Sequence, residues 1–225
     1  MGREIELKIP LTDSEYEKIF SVICGKEKLK GVEVFSLKNG SAFAFEHILK
    51  SDSYFSRYNS RAESKAAGEP QVIRIRSEQI FDGFDKKKGG EKKTFFCIKR
   101  KTIENGIELN SENETFVEKP EVIRDLLTLS GYHQFFEKSK DAFSAYCKSE
   151  VLEACIFHVE LEIVNGLKYL EVEVTDDFDF AVATENGLSA ADIRLALEKF
   201  VALFDLDASK KDSRSWMEIL RGGAL

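Results

Sequence analysis

Apolar and polar residues alternate with a period of two along most of this chain. The first alternating run is Glu4-Ile5-Glu6-Leu7-Lys8-Ile9, in which charged side chains share one face and aliphatic side chains share the other. This period is typical of a β-strand whose two faces meet different surroundings. The period changes after Thr12, which forms a capping-box pattern with Glu15 ahead of apolar residues spaced for an amphipathic helix. The sequence therefore predicts a strand followed by a helix of about four turns.

Strands outnumber helices in the rest of the chain. Further alternating runs predict strands over residues 32–37, 43–56, 71–80, 94–103, 107–118, 132–147, 151–164 and 167–175. Helices are predicted over residues 120–130, 189–205 and 213–220, with Pro120 in a first turn and Ser189 at a capping position. Residues 57–70 and 81–93 lack periodicity and concentrate Ser, Ala, Gly and Lys, so we expect mobile insertions between strands there.

The charged positions of each strand fall in one phase and carry both signs. Alternation of this kind is usually explained by an antiparallel sheet with one face in water. Such a face normally mixes Thr, Ser, Gln and Lys, whereas these faces are almost all Glu, Arg and Lys, with aliphatic residues between them. If the sheet curls into a barrel, the charged faces line its interior and the aliphatic faces pack beneath helices outside. We therefore expect Ile5, Leu7, Ile9, Ile73 and Ile75 to point outward and to be buried.

Composition places the chain among globular proteins. Of its 225 residues, 43% are hydrophobic and 32% are charged, so we expect one sizeable core and a single domain over residues 1–225. The net charge of −7 argues against a surface made for nucleic acid. No stretch approaches the roughly 18 apolar residues of a membrane span, and four scattered cysteines without a CxxC pair indicate neither a zinc site nor a disulfide framework. We expect a cytoplasmic protein without a nucleic-acid or membrane partner.

The predicted barrel interior combines carboxylates with cations. Because unpaired charges are very costly to bury, we expect such an interior to bind charged ligands. Oxygen-ligated Mg²⁺ or Mn²⁺ suits the carboxylates, and a polyanionic phosphate chain suits the cations, with the metal bridging both. The carboxylates are those of Glu4, Glu6, Glu112, Glu114, Glu160, Glu162, Glu171 and Glu173, and the cations are Lys8, Arg74, Arg76, Lys99, Lys101, Lys138 and Lys140.

Several of these residues stand in recognisable motifs. Glu4-Ile5-Glu6-Leu7-Lys8 is an ExExK run, Ser51-Asp52-Ser53-Tyr54-Phe55 is similar to a DxYF segment, and Arg74-Ile75-Arg76 is similar to an RxR strand. Glu112-Asn113-Glu114 and Glu171-Val172-Glu173 are similar to a central and a late ExE pair. In this order, over nearly the whole chain, the motifs resemble those of the CYTH superfamily, the triphosphate tunnel metalloenzymes. That superfamily includes class IV adenylyl cyclases, thiamine triphosphatases and inorganic triphosphatases.

The end of the chain favours one branch of this superfamily. Residues 215–220 resemble the SYxELL-type closing segment of the class IV cyclase branch, with Trp216 in place of Tyr. Two features depart from the superfamily pattern. Lys138-Ser139-Lys140 stands where relatives commonly have a KxR strand, and Glu160 and Glu162 stand where they place an Asp before the late ExE pair. Because lysine lacks the planar fork of arginine, we expect a less directional grip on phosphate at these two lysines.

The resemblance implies an α+β fold, with an eight-stranded antiparallel β-barrel that forms a triphosphate tunnel and helices packed outside. It also implies a metal-dependent enzyme with Mg²⁺ or Mn²⁺ as cofactor and a small-molecule triphosphate as partner. The metal ligands are then Glu4, Glu6, Glu171 and Glu173, and the phosphate-binding residues are Lys8, Arg74, Arg76, Lys99, Lys138 and Lys140. Lys8 and Glu162 are assigned catalytic roles, with Glu162 also assisting the metal. Glu112, Glu114 and Glu160 either orient the cations or bind a second metal.

Three functions fit these features. The first is hydrolysis of inorganic tripolyphosphate or of a nucleoside or thiamine triphosphate, which we favour because phosphoryl transfer depends mainly on positioning and charge neutralisation. The second is class IV adenylyl cyclase activity, which converts ATP to cyclic AMP and pyrophosphate and requires an adenine pocket, with Asp52, Tyr54 and Phe55 as candidates. The third is a noncatalytic polyphosphate- or nucleotide-binding module, which leaves the carboxylate pairs unexplained. The oligomeric state is left open, a homodimer included.

Two other residues have ordinary structural explanations. His158 shares its phase with Glu160 and Glu162, and we expect a hydrogen-bonded strand histidine in preference to a base at the tunnel mouth. Trp216 is expected to anchor the terminal helix.

Overall fold

The structure is a computed structural model that describes residues 2–36, 41–69, 71–84, 90–104, 107–153, 155–175 and 189–221. Its strands are β1 (Gly2–Pro10), β2 (Val32–Phe35), β3 (Phe45–Ser56), β4 (Val72–Asp82), β5 (Glu91–Glu104), β6 (Ile107–Phe116), β7 (His133–Ser149), β8 (Ile156–Val164) and β9 (Leu167–Thr175). Its α-helices are α1 (Asp13–Ile23), α2 (Arg61–Ala66), α3 (Pro120–Leu129), α4 (Ala190–Leu203) and α5 (Trp216–Leu220), and a 3₁₀ turn covers Ala208–Lys210. Within these residues, no helix has the length and apolar composition that a membrane crossing requires.

Eight of these strands close into an antiparallel barrel. The order of hydrogen-bonded neighbours is β7-β3-β4-β5-β6-β1-β9-β8, and β8 pairs again with β7. The short strand β2 pairs with the end of β7 beyond the stretch that β3 occupies, so it extends the sheet without entering the closed ring. The expected eight-stranded barrel is confirmed, with β2 as an additional strand.

The strand register brings the charged positions to one side of the sheet. Glu6 is opposite Glu173 and Lys8 is opposite Glu171. Lys99 is likewise opposite Glu112, across the β5–β6 pair. Residues directly opposite each other in an antiparallel pair point to the same face. The charged phase of each strand therefore continues around the barrel as its inner surface.

The main hydrophobic core lies outside the barrel, between its wall and the helices. Ile5, Leu7 and Ile9 are each no more than 2% exposed, and they belong to one cluster with Ile19 of α1 and Phe200 of α4. Burying a side chain of this size contributes about 1.5–3 kcal/mol, so this outer layer supplies much of the free energy that holds the strands in place. The expectation that the aliphatic phase of β1 points outward is confirmed.

A second, smaller cluster lies under α3. It contains Ile75, Phe55 and Leu127, with Ile73 packed against it. Since Ile73 and Ile75 alternate with the arginines of β4, their burial on the outside places Arg74 and Arg76 inside.

The helix starts follow the predicted capping patterns. Thr12 with Glu15 and Ser189 with Asp192 form complete capping boxes at α1 and α4. Pro120 occupies the first helical turn of α3, where its missing N–H needs no partner.

The two segments expected to be insertions contain regular structure. Residues 57–70 include the short helix α2, which Ser60 caps by accepting a hydrogen bond from the N–H of Glu63. Strand β4 continues to Asp82 and strand β5 begins at Glu91, so both ends of the 81–93 segment belong to the barrel. Residues 85–89 of that segment lie outside the described residues. The mobility of the two segments stays a prediction.

Candidate active site in the barrel interior

The barrel encloses a cavity of about 940 Å³. Side chains from all eight barrel strands line it, together with Ser215, Trp216 and Met217 from the end of the chain. Its basic lining residues are Lys50, Arg74, Arg76, Lys99, Lys101, Lys138 and Lys140, and its acidic ones are Glu6, Glu46, Glu78, Glu108, Glu112, Glu114, Glu160, Glu171 and Glu173. The alternation of the strands thus yields an interior of mixed charge.

Most of the residues selected from the sequence meet in this cavity. The lining includes every predicted phosphate-binding residue except Lys8, and it includes the predicted metal ligands Glu6, Glu171 and Glu173. The side chain of Glu4 lies outside the described residues. The individual roles of these residues stay predictions.

The two residues assigned catalytic roles are inside the barrel but do not line the cavity. The Lys8 ammonium donates a hydrogen bond of 2.7 Å to the carbonyl oxygen of Arg214 and lies 3.7 Å from a carboxylate oxygen of Glu108. Glu162 is 0% exposed. In the described conformation, Lys8 and Glu162 therefore lie behind the side chains that line the cavity.

Asp52 is the counter-ion of two cavity cations. It accepts hydrogen bonds of 2.7 and 3.1 Å from the guanidinium of Arg76, and its Oδ2 lies 3.2 Å from Nζ of Lys138. The hydroxyl of Tyr54 also donates to it, at 3.2 Å. Burial alone would raise the pKa of Asp52, but the charges of Arg76 and Lys138 hold it well below its usual value. Asp52 therefore stays ionised and fixes the positions of both cations.

The adenine pocket considered for a cyclase does not assemble from its candidate residues. Asp52 is occupied by cations, and only Tyr54 of the three lines the cavity. Phe55 points the other way and packs with Ile75 and Leu127 outside the barrel. Neighbouring residues of a strand face opposite sides, so Tyr54 and Phe55 cannot share one pocket.

A second group of charges links β1, β4, β5 and β6. Nη2 of Arg74 donates to Oε1 of Glu112 at 2.7 Å, while Nζ of Lys99 lies 3.4 Å from Oε2 of Glu112 and 3.7 Å from Glu6. Although burial opposes ionisation, Lys99 and Arg74 lower the pKa of Glu112 to about 2. Glu114 lies 3.5 Å from Arg74, and burial together with the charge of Glu112 raises its pKa. Glu112 thus serves as counter-ion to Arg74 and Lys99, while the choice between orienting the cations and binding a second metal stays a prediction for this pair.

Three carboxylates gather where β8 and β9 adjoin. Glu160, Glu162 and Glu171 each offer an oxygen, and the three oxygens lie within 4.8 Å of one another. Lys140 forms ion pairs with Glu162 and with Glu171, the latter at 2.8 Å, and Lys50 forms an ion pair with Glu160. We call Glu160, Glu162 and Glu171 the carboxylate cluster.

The carboxylate cluster fits a divalent metal ion. Neither carboxylate oxygen of Glu162 accepts a hydrogen bond from the described residues. Burial and the charge of Glu171 raise the pKa of Glu162 to about 8, so the nearby ammonium groups of Lys140 and Lys138 do not offset its burial. An all-oxygen donor set of this kind suits Mg²⁺ or Mn²⁺. Glu6 lies nearby, and burial together with the charges of Glu108 and Glu171 raises its pKa well above the usual value, so it too would gain from a cation.

His158 lies in a chain of hydrogen bonds along the cavity wall. Its Nδ1 is 2.5 Å from Oε1 of Glu173, and its Nε2 is 2.7 Å from Oγ of Ser144. Its ring stacks on that of Tyr146, with centroids 4.9 Å apart. The expected hydrogen-bonded strand histidine is confirmed, and this contact ties Glu173 of β9 to β8.

Trp216 has a larger role than that of a helix anchor. Its ring packs edge-on against Tyr169, with centroids 4.8 Å apart, which anchors α5 as expected. The same ring has the ammonium groups of Lys8, Lys138 and Lys140 at 5.4, 5.4 and 5.5 Å from its centroid, and its Nε1–H donates to Glu171 at 3.1 Å. The closing segment of the chain thus forms part of the cavity wall.

Sequence reasoning missed some of the cavity residues. Lys50 is buried between Glu160 and Glu78, and Glu46 also lines the cavity. Both share their phase on β3 with Asp52, so strand alternation could have identified them. No local sequence pattern could have placed Trp216 in the cavity wall, because its position depends on where α5 docks against the barrel.

The fold is known from solved structures. No protein-family model and no curated sequence matches this chain. A protein from Pyrococcus horikoshii superposes with a TM-score of 0.62 at 18% identity, covering 97% of this chain and 98% of that chain. A candidate adenylate cyclase from Vibrio parahaemolyticus superposes with a TM-score of 0.57 at 18% identity, covering 97% of each chain. A candidate adenylyl cyclase from Hippeastrum with a dominant triphosphatase activity superposes with a TM-score of 0.56 at 14% identity, covering 100% of this chain and 97% of that chain.

These matches extend over essentially the whole of both partners. The closed eight-stranded barrel, its extra strand and its outer helices are the triphosphate tunnel fold. At identities of 18% or less, these likenesses confirm the expected fold alone.

Proposed function

We propose that this protein is a divalent-metal-dependent triphosphatase that cleaves a small-molecule triphosphate bound in the barrel cavity. The observation that carries the proposal is the meeting of two kinds of group in one cavity of about 940 Å³. Buried cations such as Arg76 and Lys138 are held in place by Asp52, and close by lies a carboxylate cluster in which the oxygens of Glu162 accept no hydrogen bond from the described residues. A metal–triphosphate complex complements both groups.

The cations would bind and orient the phosphate chain. Arg74 and Arg76 project from adjacent inward positions of β4, and the planar guanidinium suits bidentate contact with phosphate oxygens. Lys138 and Lys140 likewise project into the cavity from β7, which is separated from β4 by the strand β3 that pairs with both. Since the carboxylates of Asp52 and Glu112 fix three of these four groups, little reorganisation is needed when a phosphate arrives.

The carboxylate cluster would hold the metal. When bound, Mg²⁺ or Mn²⁺ neutralises negative charge on the transferring phosphoryl group. The chain's own part is to place Glu160, Glu162 and Glu171 within reach of one ion and to supply Glu6 beside them.

Two observations favour hydrolysis over cyclisation. The Hippeastrum protein that shares this fold has a dominant triphosphatase activity. In the present chain, Asp52, Tyr54 and Phe55 do not form an adenine pocket, and a cyclase depends on contacts with the base and ribose to bring the 3′-hydroxyl to the α-phosphorus. A hydrolase needs to bind only the phosphate chain and its metal, without contacts to a base or ribose.

A product assay tests the proposal. Tripolyphosphate, ATP and thiamine triphosphate are each incubated with the protein and Mg²⁺ or Mn²⁺, with EDTA as the metal-free control, and phosphate, pyrophosphate and cyclic AMP are quantified. We expect phosphate release from at least one substrate, and its loss with EDTA. Cyclic AMP as the main product from ATP, with tripolyphosphate left intact, would establish the cyclase instead. Tight substrate binding without turnover would indicate a binding module.

A matched pair of variants ties the activity to the cavity. Lys99 points into the barrel, whereas the next residue, Arg100, is exposed on the opposite face of β5. Lys99→Gln and Arg100→Gln remove one positive charge each. We expect the first to lower kcat/KM by about tenfold or more, as for the loss of a charged hydrogen bond to the substrate, and the second to leave it unchanged.

A further inference from the structure

The ammonium group of Lys140 lies among carboxylates suited to a metal ion. Its Nζ is 2.8 Å from Oε2 of Glu171 and pairs with Oε2 of Glu162. The third member of the carboxylate cluster, Glu160, is paired with Lys50. Among the described residues, Lys140 is thus the cation that two members of the cluster share.

The pairing with Glu162 is not an ordinary buried salt bridge. Glu162 is 0% exposed, yet neither of its oxygens accepts an aligned hydrogen bond from the described residues. A buried carboxylate normally satisfies its oxygens with several donors, and leaving them without donors is costly. Lys140 places a positive charge beside Glu162 but donates no aligned hydrogen bond to its oxygens. A small divalent ion ligated by oxygen would supply both.

The ammonium group of Lys140 can also reach the open cavity. Its side chain lines the cavity, and its ammonium lies 5.5 Å from the centroid of the Trp216 ring, as that of Lys138 does at 5.4 Å. Lysine carries its charge on a flexible four-carbon stem, so rotation about its bonds can re-aim the ammonium without moving β7. Lys138 differs from Lys140 in its counter-ion, because it pairs with Asp52, which lies outside the carboxylate cluster.

We propose that Lys140 is an exchangeable counter-ion, which neutralises the carboxylate cluster before metal binds and turns to a phosphoryl oxygen once a divalent ion takes its place. The inference rests on the proposed function, since it assumes that the cluster holds the metal and the cavity holds phosphate. Two like charges cannot both occupy the cluster, so metal entry expels the ammonium, and a phosphoryl oxygen in the cavity then pairs with it. Metal and oxyanion consequently bind with positive coupling, and each raises the affinity for the other by the same factor.

The test measures Mn²⁺ affinity by calorimetry and by the electron paramagnetic resonance of free Mn²⁺, with and without saturating sulfate. Sulfate is a tetrahedral oxyanion, and its pairing with Mn²⁺ in solution is measured without protein and subtracted, so the remaining coupling comes from the protein. In the wild-type protein, sulfate should tighten Mn²⁺ binding about fivefold or more. In Lys140→Gln, Mn²⁺ should bind about tenfold more tightly without sulfate, because the competing charge is gone, and sulfate should have no further effect. The matched control Arg100→Gln, which removes an exposed charge on the outer face of β5, should change the sulfate-free affinity by less than about threefold.

A second variant covers the case in which Lys140→Gln fails to fold. Lys140→Arg keeps the charge but adds a planar fork that can grip two carboxylates, so Mn²⁺ should bind more weakly than to the wild-type protein. Equal or tighter Mn²⁺ binding by Lys140→Arg, or unchanged Mn²⁺ affinity in a folded Lys140→Gln, would overturn the proposal. Coupling between Mn²⁺ and sulfate in a protein that hydrolyses no triphosphate would support the exchange and refute the proposed hydrolysis, so the two failures are distinct.

Discussion

The carboxylate of Asp52 and the guanidinium of Arg76 form a two-hydrogen-bond pair inside the barrel, with nitrogen–oxygen distances of 2.7 and 3.1 Å. The two residues are directly opposite each other on β3 and β4. Lys138, opposite Asp52 on β7, shares the same carboxylate at 3.2 Å. One acidic residue thus fixes a cation on each neighbouring strand, and its removal should affect both at once.

Asp52→Asn should weaken substrate binding and destabilise the fold. Breaking a buried ion pair by removing one partner typically costs about 3–5 kcal/mol, because the remaining charges lose their counter-ion. We expect KM for the cleaved triphosphate to rise more than kcat falls, since Arg76 and Lys138 are no longer aligned before binding. Urea denaturation and steady-state kinetics measure the two effects.

The control for this variant is Asp205→Asn. Asp205 pairs with Lys18 on the surface, where the side chain of Asp205 is 81% exposed. Loss of an exposed pair should change stability by about 1 kcal/mol at most and leave KM unchanged. If Asp52→Asn behaved like this control, Asp52 would not be the group that positions the two cations.

Lys138 should make oxyanion binding depend on pH. Burial and the charge of Lys140 lower the pKa of Lys138 to about 7, against about 10.4 in an unfolded chain. As pH rises above about 7, the folded protein loses this charge and its pull on phosphate. Sulfate affinity of the wild-type protein should therefore fall between about pH 6 and pH 9 relative to that of Lys138→Arg, whose charge persists over this range.

The lowered pKa of Lys138 makes sulfate affinity fall with rising pH but makes the free energy of unfolding rise. Between about pH 7 and pH 10.4 the unfolded chain binds more protons at Lys138 than the folded protein does, so this residue makes stability rise with pH across that window. Lys138→Met should remove that contribution. Denaturation curves collected over the window check it, and parallel pH profiles for the wild-type protein and Lys138→Met would contradict the shift.

Trp216 should report on the cavity. It is the single tryptophan of the chain, and its ring contacts Lys8, Lys138 and Lys140 while its Nε1–H donates to Glu171. Because an oxyanion in the cavity draws the ammonium groups of Lys138 and Lys140 away from the ring, we expect tripolyphosphate to produce a saturable change in tryptophan emission. Sodium chloride at equal ionic strength is the control and should not saturate.

Substitution of Trp216 separates its two contributions. Trp216→Phe keeps an aromatic face for the lysines but loses the donor to Glu171, whereas Trp216→Ala loses both and leaves a cavity. We expect Trp216→Ala to lower the free energy of unfolding by about 3–5 kcal/mol and Trp216→Phe to lower it by about 1–2 kcal/mol. Equal effects in urea denaturation would show that the aromatic ring contributes nothing beyond its hydrogen bond to Glu171.

Glu6→Gln should stabilise the metal-free protein while abolishing turnover. Burial and the carboxylates of Glu108 and Glu171 raise the pKa of Glu6, so its charge is unfavourable until a cation binds. In the wild-type protein, Mg²⁺ at a hundred times its Kd should add about 2.7 kcal/mol of stability. Thermal denaturation with and without Mg²⁺ should show a higher Tm for metal-free Glu6→Gln and a smaller gain from Mg²⁺.

Glu17→Gln is the matched control for Glu6→Gln, because Glu17 is exposed on α1. It should respond to Mg²⁺ as the wild-type protein does. A full response to Mg²⁺ by Glu6→Gln would remove Glu6 from the metal site.

Much of the fold and of the cavity lining could be predicted from local patterns. Side chains two residues apart in a strand share a face, so Glu6 with Lys8 and Glu171 with Glu173 had to point the same way. Since aliphatic residues fill the other phase and need cover, the charged phase could be assigned to the inside of a barrel. The same rule applies to Lys50, which shares its phase on β3 with Asp52 and Tyr54.

The sequence by itself determined which residues face the interior, because the period of a strand sets the direction of each side chain. Only the tertiary structure decided which acid meets which base. Lys50 and Glu160 are 110 residues apart along the chain yet form an ion pair, and Glu171 binds Lys140 whereas Glu173 binds His158. These distances follow from the register and tilt of a closed barrel, which are set by hydrogen bonds and packing between strands distant in sequence.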